Sequence, residues 1–245
     1  MALHNRIVDI REYLLHLYLD DKFVTDKTGA KVVEIIGASF IADDNTIFGV
    51  PNDEYIQREI AWYESQSLSV YDMPKGPPAI WQKVADKDGF INSNYGWCIF
   101  SDANGNQFDN ALAELVANPE SRRANMIYTR PSMWKDYNLN GRSDYICTNT
   151  VQYVVRDNRV SAIVQMRSND GWAGYRNDFA WQKYVLDLFV KKLNIVANTS
   201  YECGTIYWNA SSLHIYSSQF YLLEHYGKTG DYMITKENYD KRYLG

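Results

Sequence analysis

The stretch VQYVVRDNRVSAIVQM, residues 151–166, restricts the fold more than any other part of the chain. Two β-branched runs flank Asp157-Asn158, and such a pair between strand-like runs reads as a tight hairpin. Antiparallel pairing is therefore expected here. Strand-like runs also occur at 125–129 (NMIYT), 144–155 (DYICTNTVQYVV) and 204–217 (GTIYWNASSLHIYS). A long apolar helix, FAWQKYVLDLFVKKLN, is predicted over 179–194. Upstream, 5–22 and 106–119 carry apolar residues at helical spacing, the second stopped by Pro119, and KVVEIIGASFIAD (31–43) is another strand. NDEYIQREIAWYESQS (52–67) predicts a helix with Asn52 or Asp53 as N-cap and Ile56, Ile60 and Tyr63 on one face. The fold class that follows is α+β: a large, mostly antiparallel twisted sheet with helices packed on one side.

The bulk properties narrow the function classes. A chain of 245 residues without repeats or a clear linker is expected to form one domain, residues 1–245. The net charge of -5 disfavours a broad nucleic-acid footprint but leaves room for a local basic pocket. Three cysteines without CxxC spacing argue against a metal site or a disulfide framework and fit a reducing cytoplasm. No apolar run approaches the roughly 20 residues of a membrane span. Acids interrupt the first apolar stretch, so no secretory leader is expected. Phosphate-loop, dinucleotide and HExxH patterns are absent.

Several residues carry chemistry with a bland alternative beside it. Cys147, placed in a strand, is either a small buried hydrophobe or a nucleophile whose thiolate needs nearby cations. Arg122 and Arg123 are either a solvated pair or a phosphate clamp, since each guanidinium fork can bond two oxygens. His214 and Tyr216 alternate on one strand face, so they form a structural pair or touch a sugar hydroxyl. Glu59 borders the apolar face of its helix or lies on the surface. Two Asn-Asp pairs, Asn169-Asp170 and Asn177-Asp178, stand with Arg167 and Arg176 at a half-buried junction between a strand and a helix. Burying such acids is costly without partners.

Taken together and in chain order, these segments resemble the thymidylate synthase superfamily from about Thr25 to Tyr216. DKTG (26–29) resembles the phosphate loop DRTG of that family. Glu59 falls at its helical catalytic Glu, IW (80–81) and NYGW (94–97) at its folate-side Trp and its active-site Tyr. SRR (121–123) matches the arginine pair that a neighbouring subunit donates. Cys147 falls at the nucleophile, RSND (167–170) at RSCD, and LHIY (213–216) at CHIY. Three departures stand out. Cys147 is followed by Thr148 rather than His, the second folate-side Trp falls at Val84, and the uracil-reading Asn aligns with Asp178. In these departures the chain resembles the branch of deoxycytidylate hydroxymethylases of T-even-type bacteriophages.

The resemblance implies a mechanism. Cys147 adds to C6 of the pyrimidine, C5 takes the one-carbon unit of 5,10-methylenetetrahydrofolate, and water rather than hydride completes the product before Cys147 leaves. Glu59 and Tyr95 would move protons. Lys27, Arg167 and Ser168 would bind the 5′-phosphate, with Arg122 and Arg123 reaching in from the second subunit of a homodimer, and Asn169 would also bind the substrate. His214 and Tyr216 would contact the sugar. Trp81, Asp170 and Glu59 would hold the folate, and no metal is implied. Asp178 suits cytosine, whose edge offers an N3 acceptor and an N4 donor, because a carboxylate accepts from N4 and shares a proton at N3. Rival readings are a hydroxymethylase of CMP, one of dUMP, which Asp178 opposes, and an inactive nucleotide-binding relative.

Overall fold

The computed structural model describes residues 4–245. In chain order the elements are β1 (Asn5–Arg6), α1 (Ile7–Leu19), β2 (Val24–Thr25), β3 (Lys31–Ile41), α2 (Asp53–Glu64), α3 (Ala79–Val84), α4 (Tyr95–Phe100), α5 (Gln107–Ala117), β4 (Asn125–Ile127), α6 (Met133–Asp136), β5 (Thr148–Arg156), β6 (Arg159–Met166), β7 (Asn169–Asp170), α7 (Ala173–Ala197), β8 (Glu202–Tyr216), α8 (Phe220–Thr229) and α9 (Lys236–Tyr243). The class is α+β. The chain divides into two compact units: residues 1–51, 166–182 and 205–245 form the first, and residues 52–165 and 183–204 the second.

In the first unit β3 pairs antiparallel with β8, from Val32 opposite Tyr216 to Ile41 opposite Tyr207. The short β1 joins β3 in parallel, β2 joins it antiparallel, and β7 lies parallel to β8. Along β3 Val32 and Val33 are both buried at the start; beyond them burial falls on Ile35 before Gly37 and on Ala38 and Phe40 after it, so the buried face changes parity at Gly37. Gly37 has φ +70°, a conformation that costs glycine little. β8 changes parity at the same level, from Leu213 to Ala210. Helix α1 turns Ile7, Ile10 and Leu14 inward. Its buried Arg11 is matched by Asp44, at 2.7 Å, and by the carbonyls of Thr46 and Ile47. A buried guanidinium demands that many acceptors.

In the second unit β4, β5 and β6 are successive neighbours. The hairpin forms as the sequence expects: Asp157 and Asn158 both have positive φ, 49° and 59°, as a two-residue turn between twisted strands needs. Asn52 caps α2 by accepting from the Tyr55 amide at 3.0 Å. On that helix Ile56, Glu59, Trp62 and Tyr63 are buried, whereas Ile60 is half-buried. The tight aromatic packing of this unit includes Tyr153 stacked on Phe189 at 4.5 Å.

Several boundaries differ from expectation. The strand expected from Asp144 begins at Thr148. The amides of Ser143 and Asp144 instead bond the carbonyls of Val84 and Tyr137, at 2.8 and 3.0 Å. The strand expected over 125–129 stops at Ile127. The long helix begins at Ala173, ahead of Phe179, because the Asp170 carboxylate takes the amides of Trp172, Ala173 and Gly174 at 3.2, 2.9 and 3.1 Å. That carboxylate satisfies donors that a helix start leaves without partners. Among the described residues no helix is long and apolar enough to cross a membrane.

Candidate active site

In the second unit the best-defined feature is Glu59. It is 6% exposed, and its neighbours are side chains. Tyr55, one helical turn earlier, donates its hydroxyl to Glu59 Oε1 at 2.6 Å, and Trp81 Nε1 donates to the same oxygen at 3.1 Å. The indole also donates to the Tyr55 hydroxyl at 2.9 Å. Burial pushes the Glu59 carboxyl up to about 7, against the opposing pull of the two hydrogen bonds. The expectation that Glu59 lies at the surface or only borders the apolar face is thereby corrected. A carboxyl poised near neutrality suits proton transfer in both directions.

Tyr95 opens α4 and is buried, stacked on Tyr63 at 5.3 Å and edge-on to Tyr128 at 5.4 Å. Gly96 makes that stack possible: a Cβ there would stand 1.7 Å from the Tyr63 carbonyl oxygen. Cys147 is half-buried and precedes β5, which corrects its placement within a strand. Its Sγ lies 3.8 Å from the Tyr145 carbonyl oxygen, and it forms no disulfide. The other two thiols suit nucleophilic work poorly. Burial pushes Cys98 up to about 12, and burial with the nearby Asp187 pushes Cys203 up to about 11. Arg122 and Arg123 are exposed. Arg123 pairs with Glu114 at 2.9 Å.

The first unit holds the other candidates. Lys27 is exposed in a turn knitted by Asp26, whose Oδ1 accepts from the amides of Thr28 and Ala30. Arg167 and Ser168 are half-buried, followed by the buried Asn169. Asn169 Nδ2 donates to Asp178 Oδ2 at 2.8 Å, and Trp208 Nε1 donates to Asn169 Oδ1 at 3.2 Å. Asp178 lies inside α7 rather than ahead of it. Asp170 is engaged in capping that helix, with Oδ1 taking a single amide.

His214 and Tyr216 meet edge-on at 5.0 Å, the same-face arrangement that strand alternation implies. Burial pushes His214 below its usual range, opposed by Asp170, Glu34 and Asp26. Ser212 Oγ donates to Glu34 and contacts His214 Nδ1 at 3.2 Å. Because the Ser212 hydroxyl donates to Glu34, its oxygen accepts from His214 Nδ1–H, which leaves Nε2 of the neutral ring as an acceptor. Arg176 also gains surroundings: it donates to the Val50 carbonyl at 2.7 Å and lies over Trp172.

Sequence reasoning missed Tyr55, Trp208 and the pair Glu34 and Ser212. Tyr55 has a local signal, the i, i+4 spacing to Glu59. Trp208 and Glu34 depend on pairings distant in the chain and have none. Among the described residues no group of three or more His, Cys, Asp or Glu could hold a metal ion.

Residues 25–231 match the family profile described as thymidylate synthase. The chain belongs to the thymidylate synthase family. Within the family it is 57% identical, over 96% of its length and 97% of the relative's, to a protein named deoxycytidylate 5-hydroxymethyltransferase from Enterobacteria phage T4. The phage T6 protein of that name is also 57% identical, over 94% of this chain and 95% of its own. A thymidylate synthase of Francisella tularensis subsp. holarctica is 23% identical over 85% of this chain and 81% of its own. The family thus extends over most of both units, and the hydroxymethyltransferases share far more of the sequence than that synthase does.

Proposed function

We propose that the chain, as one catalytic domain, transfers a one-carbon unit from 5,10-methylenetetrahydrofolate to C5 of dCMP and adds water. The products are 5-hydroxymethyl-dCMP and tetrahydrofolate. The observation that carries the reading is Asp178, a half-buried carboxylate tethered by Asn169, which the resemblance matches to the family's uracil-reading Asn. It accepts from cytosine N4 and holds a proton against N3, and it meets uracil O4 with a second acceptor. A site whose hydrogen bonds fit one base discriminates strongly, because the other leaves polar groups unpaired. The two phage enzymes at 57% identity support the same substrate.

Cys147 Sγ adds to C6, which makes C5 nucleophilic, and departs once C5 carries its new substituent; dividing the reaction this way lowers each barrier. Glu59, near neutrality through burial, relays protons for the loss of the C5 hydrogen and the entry of water. Tyr95 assists at the C5 proton. Lys27, Arg167, Ser168, Arg122 and Arg123 bind the 5′-phosphate, the last two from the partner in a homodimer, and His214 and Tyr216 hold the sugar hydroxyl. The donors suit a folate: Trp81 offers a half-buried indole beside Glu59, and Asp170 Oδ1 keeps accepting capacity for a ring N–H. When bound, the folate supplies the one-carbon unit. The phage origin of the relatives supports action in the host cytoplasm.

The test is a product mass measurement with methylenetetrahydrofolate and a mixture of dCMP, CMP and dUMP. The expected product is dCMP enlarged by one CH2O unit. Modification of CMP or dUMP in its place, a methyl product, or no product would overturn the proposal.

A further inference from the structure

Trp208 has no exposed surface and Asn169 is 2% exposed, so their contact is dry. An indole N–H only donates, and a carboxylate only accepts. The Asn169 amide stands between the two, its oxygen taking the Trp208 N–H at 3.2 Å and its NH2 meeting Asp178 at 2.8 Å. Flipping that amide would oppose two acceptors at Asp178 and two donors at Trp208. Its orientation is therefore dictated from both ends. Trp208 is itself fixed, edge-on to Tyr175 at 5.1 Å, and the Tyr175 hydroxyl donates to the Asp44 carbonyl at 2.9 Å.

We propose that Trp208 and Asn169 are positioning residues for base selection: the indole orients the amide, and the amide fixes the carboxylate plane of Asp178. This deepens the function proposed above and rests on Asp178 as the base-reading acid. It reassigns Asn169 from a substrate ligand to a tether. It also ties the setting of an acid inside a helix to the fold: one of its oxygens is committed to the Asn169 amide. A cytosine edge then meets an acceptor already aimed, and none of the binding energy goes to orienting it.

Two measurements separate this inference from the reading beneath it. The first needs no substrate. In protein labelled with 15N at its indoles, the Trp208 Nε1–H signal is identified by its loss in Trp208→Phe. It should shift on Asn169→Ala; an unmoved signal overturns the relay. The second compares equilibrium binding of dCMP and dUMP. Trp208→Phe and Asn169→Ala should each weaken dCMP binding by about tenfold to a hundredfold, the range for a hydrogen bond to a charged group. dUMP binding should change little, so the preference narrows. The double variant should be no worse than Asn169→Ala alone, since Trp208 acts through that amide. Equal losses for both nucleotides, or additive losses, would mark the pair as merely structural and overturn the proposal. Should Trp208→Phe fail to fold, Asn169→Ala carries the binding test and the indole is identified by sequential assignment. A wild-type protein with no preference for dCMP would instead overturn the reading of Asp178, whatever the indole does.

Discussion

Glu59 and Asp178 are both acids removed in part or whole from water, each on a helix, each served by a tryptophan N–H. In the second unit Trp81 donates straight to Glu59, together with the Tyr55 hydroxyl, and both bonds fall on one oxygen. In the first unit Trp208 reaches Asp178 only through Asn169. Asp144, also in the second unit, supplies a third pattern: it is buried too, but the amides of Asn92 and Ser93 and the Ser93 hydroxyl occupy both its oxygens at 2.6 to 2.8 Å. Full satisfaction makes Asp144 a structural tie. Burial with few donors leaves Glu59 near neutrality, fit to exchange protons. An anchored amide gives Asp178 direction, fit to read a hydrogen-bond pattern. Under the proposed function the residues assigned to bond and proton chemistry, Cys147 and Glu59, belong to the second unit, and the base reader, Asp178, belongs to the first.

The largest effect should come from the nucleophile. Cys147→Ser is expected to lower turnover by about 10⁴-fold or more, and to abolish C5 hydrogen exchange with every nucleotide. Retained tritium release from C5-labelled dCMP would remove Cys147 from its role. Glu59→Gln comes next, with kcat down by about 10²–10⁴-fold and the preference between dCMP and dUMP unchanged. A changed preference would break the division between chemistry and recognition. The same variant has a stability signature. The Glu59 carboxyl titrates near 7 in the folded chain against 4.5 ordinarily. Between those values the folded state binds more protons than the unfolded, so the wild type loses stability as pH rises through that window. Glu59→Gln escapes this loss. It should melt higher than wild type above pH 7, by a margin on the order of 3 kcal/mol, and show no such gain at pH 4.

How much of this the sequence displays follows from the range of the forces involved. The Asp157-Asn158 hairpin and the Asn52 cap are local, and both stand as expected. Helix α7 begins early because Asp170 caps it, while Gly171 and Gly174 mask the helical pattern there. The burial of Glu59 was hidden because a carboxylate on a helix is usually solvated. Its partner Trp81 lies 22 residues away, on another helix. Trp208 looks like any strand aromatic, and only the fold brings its N–H to Asn169. Lys27, Trp81, Tyr95 and Ser168 are candidates through family resemblance alone, which records such meetings without explaining them.

A smaller change tests the recognition half. Asp178→Asn should weaken dCMP use by about 10²-fold and raise dUMP use, because an amide can donate to O4 and accept from N3–H. The tether adds a sharper expectation. The new amide must turn its oxygen to the Asn169 NH2, so its own NH2 faces away from Asn169. Competition between the two nucleotides in one reaction measures the switch. An unchanged preference would remove Asp178 as the base reader and with it the recognition half of the comparison.

Arg123 tests whether the division follows the units at all, since it lies in the second unit yet is proposed to bind phosphate. Its side chain is 78% exposed and pairs with Glu114 at 2.9 Å. Exposed pairs contribute little to stability, so Arg123→Ala should leave the melting temperature nearly unmoved. Both nucleotides carry the same phosphate. KM should therefore rise about tenfold for dCMP and for whatever dUMP turnover the Asp178→Asn variant provides, with kcat and preference held. A uniform rise places Arg123 with recognition by charge, separate from recognition by base. A loss confined to kcat would instead join it to Glu59 and Cys147 and remove Arg123 from phosphate recognition.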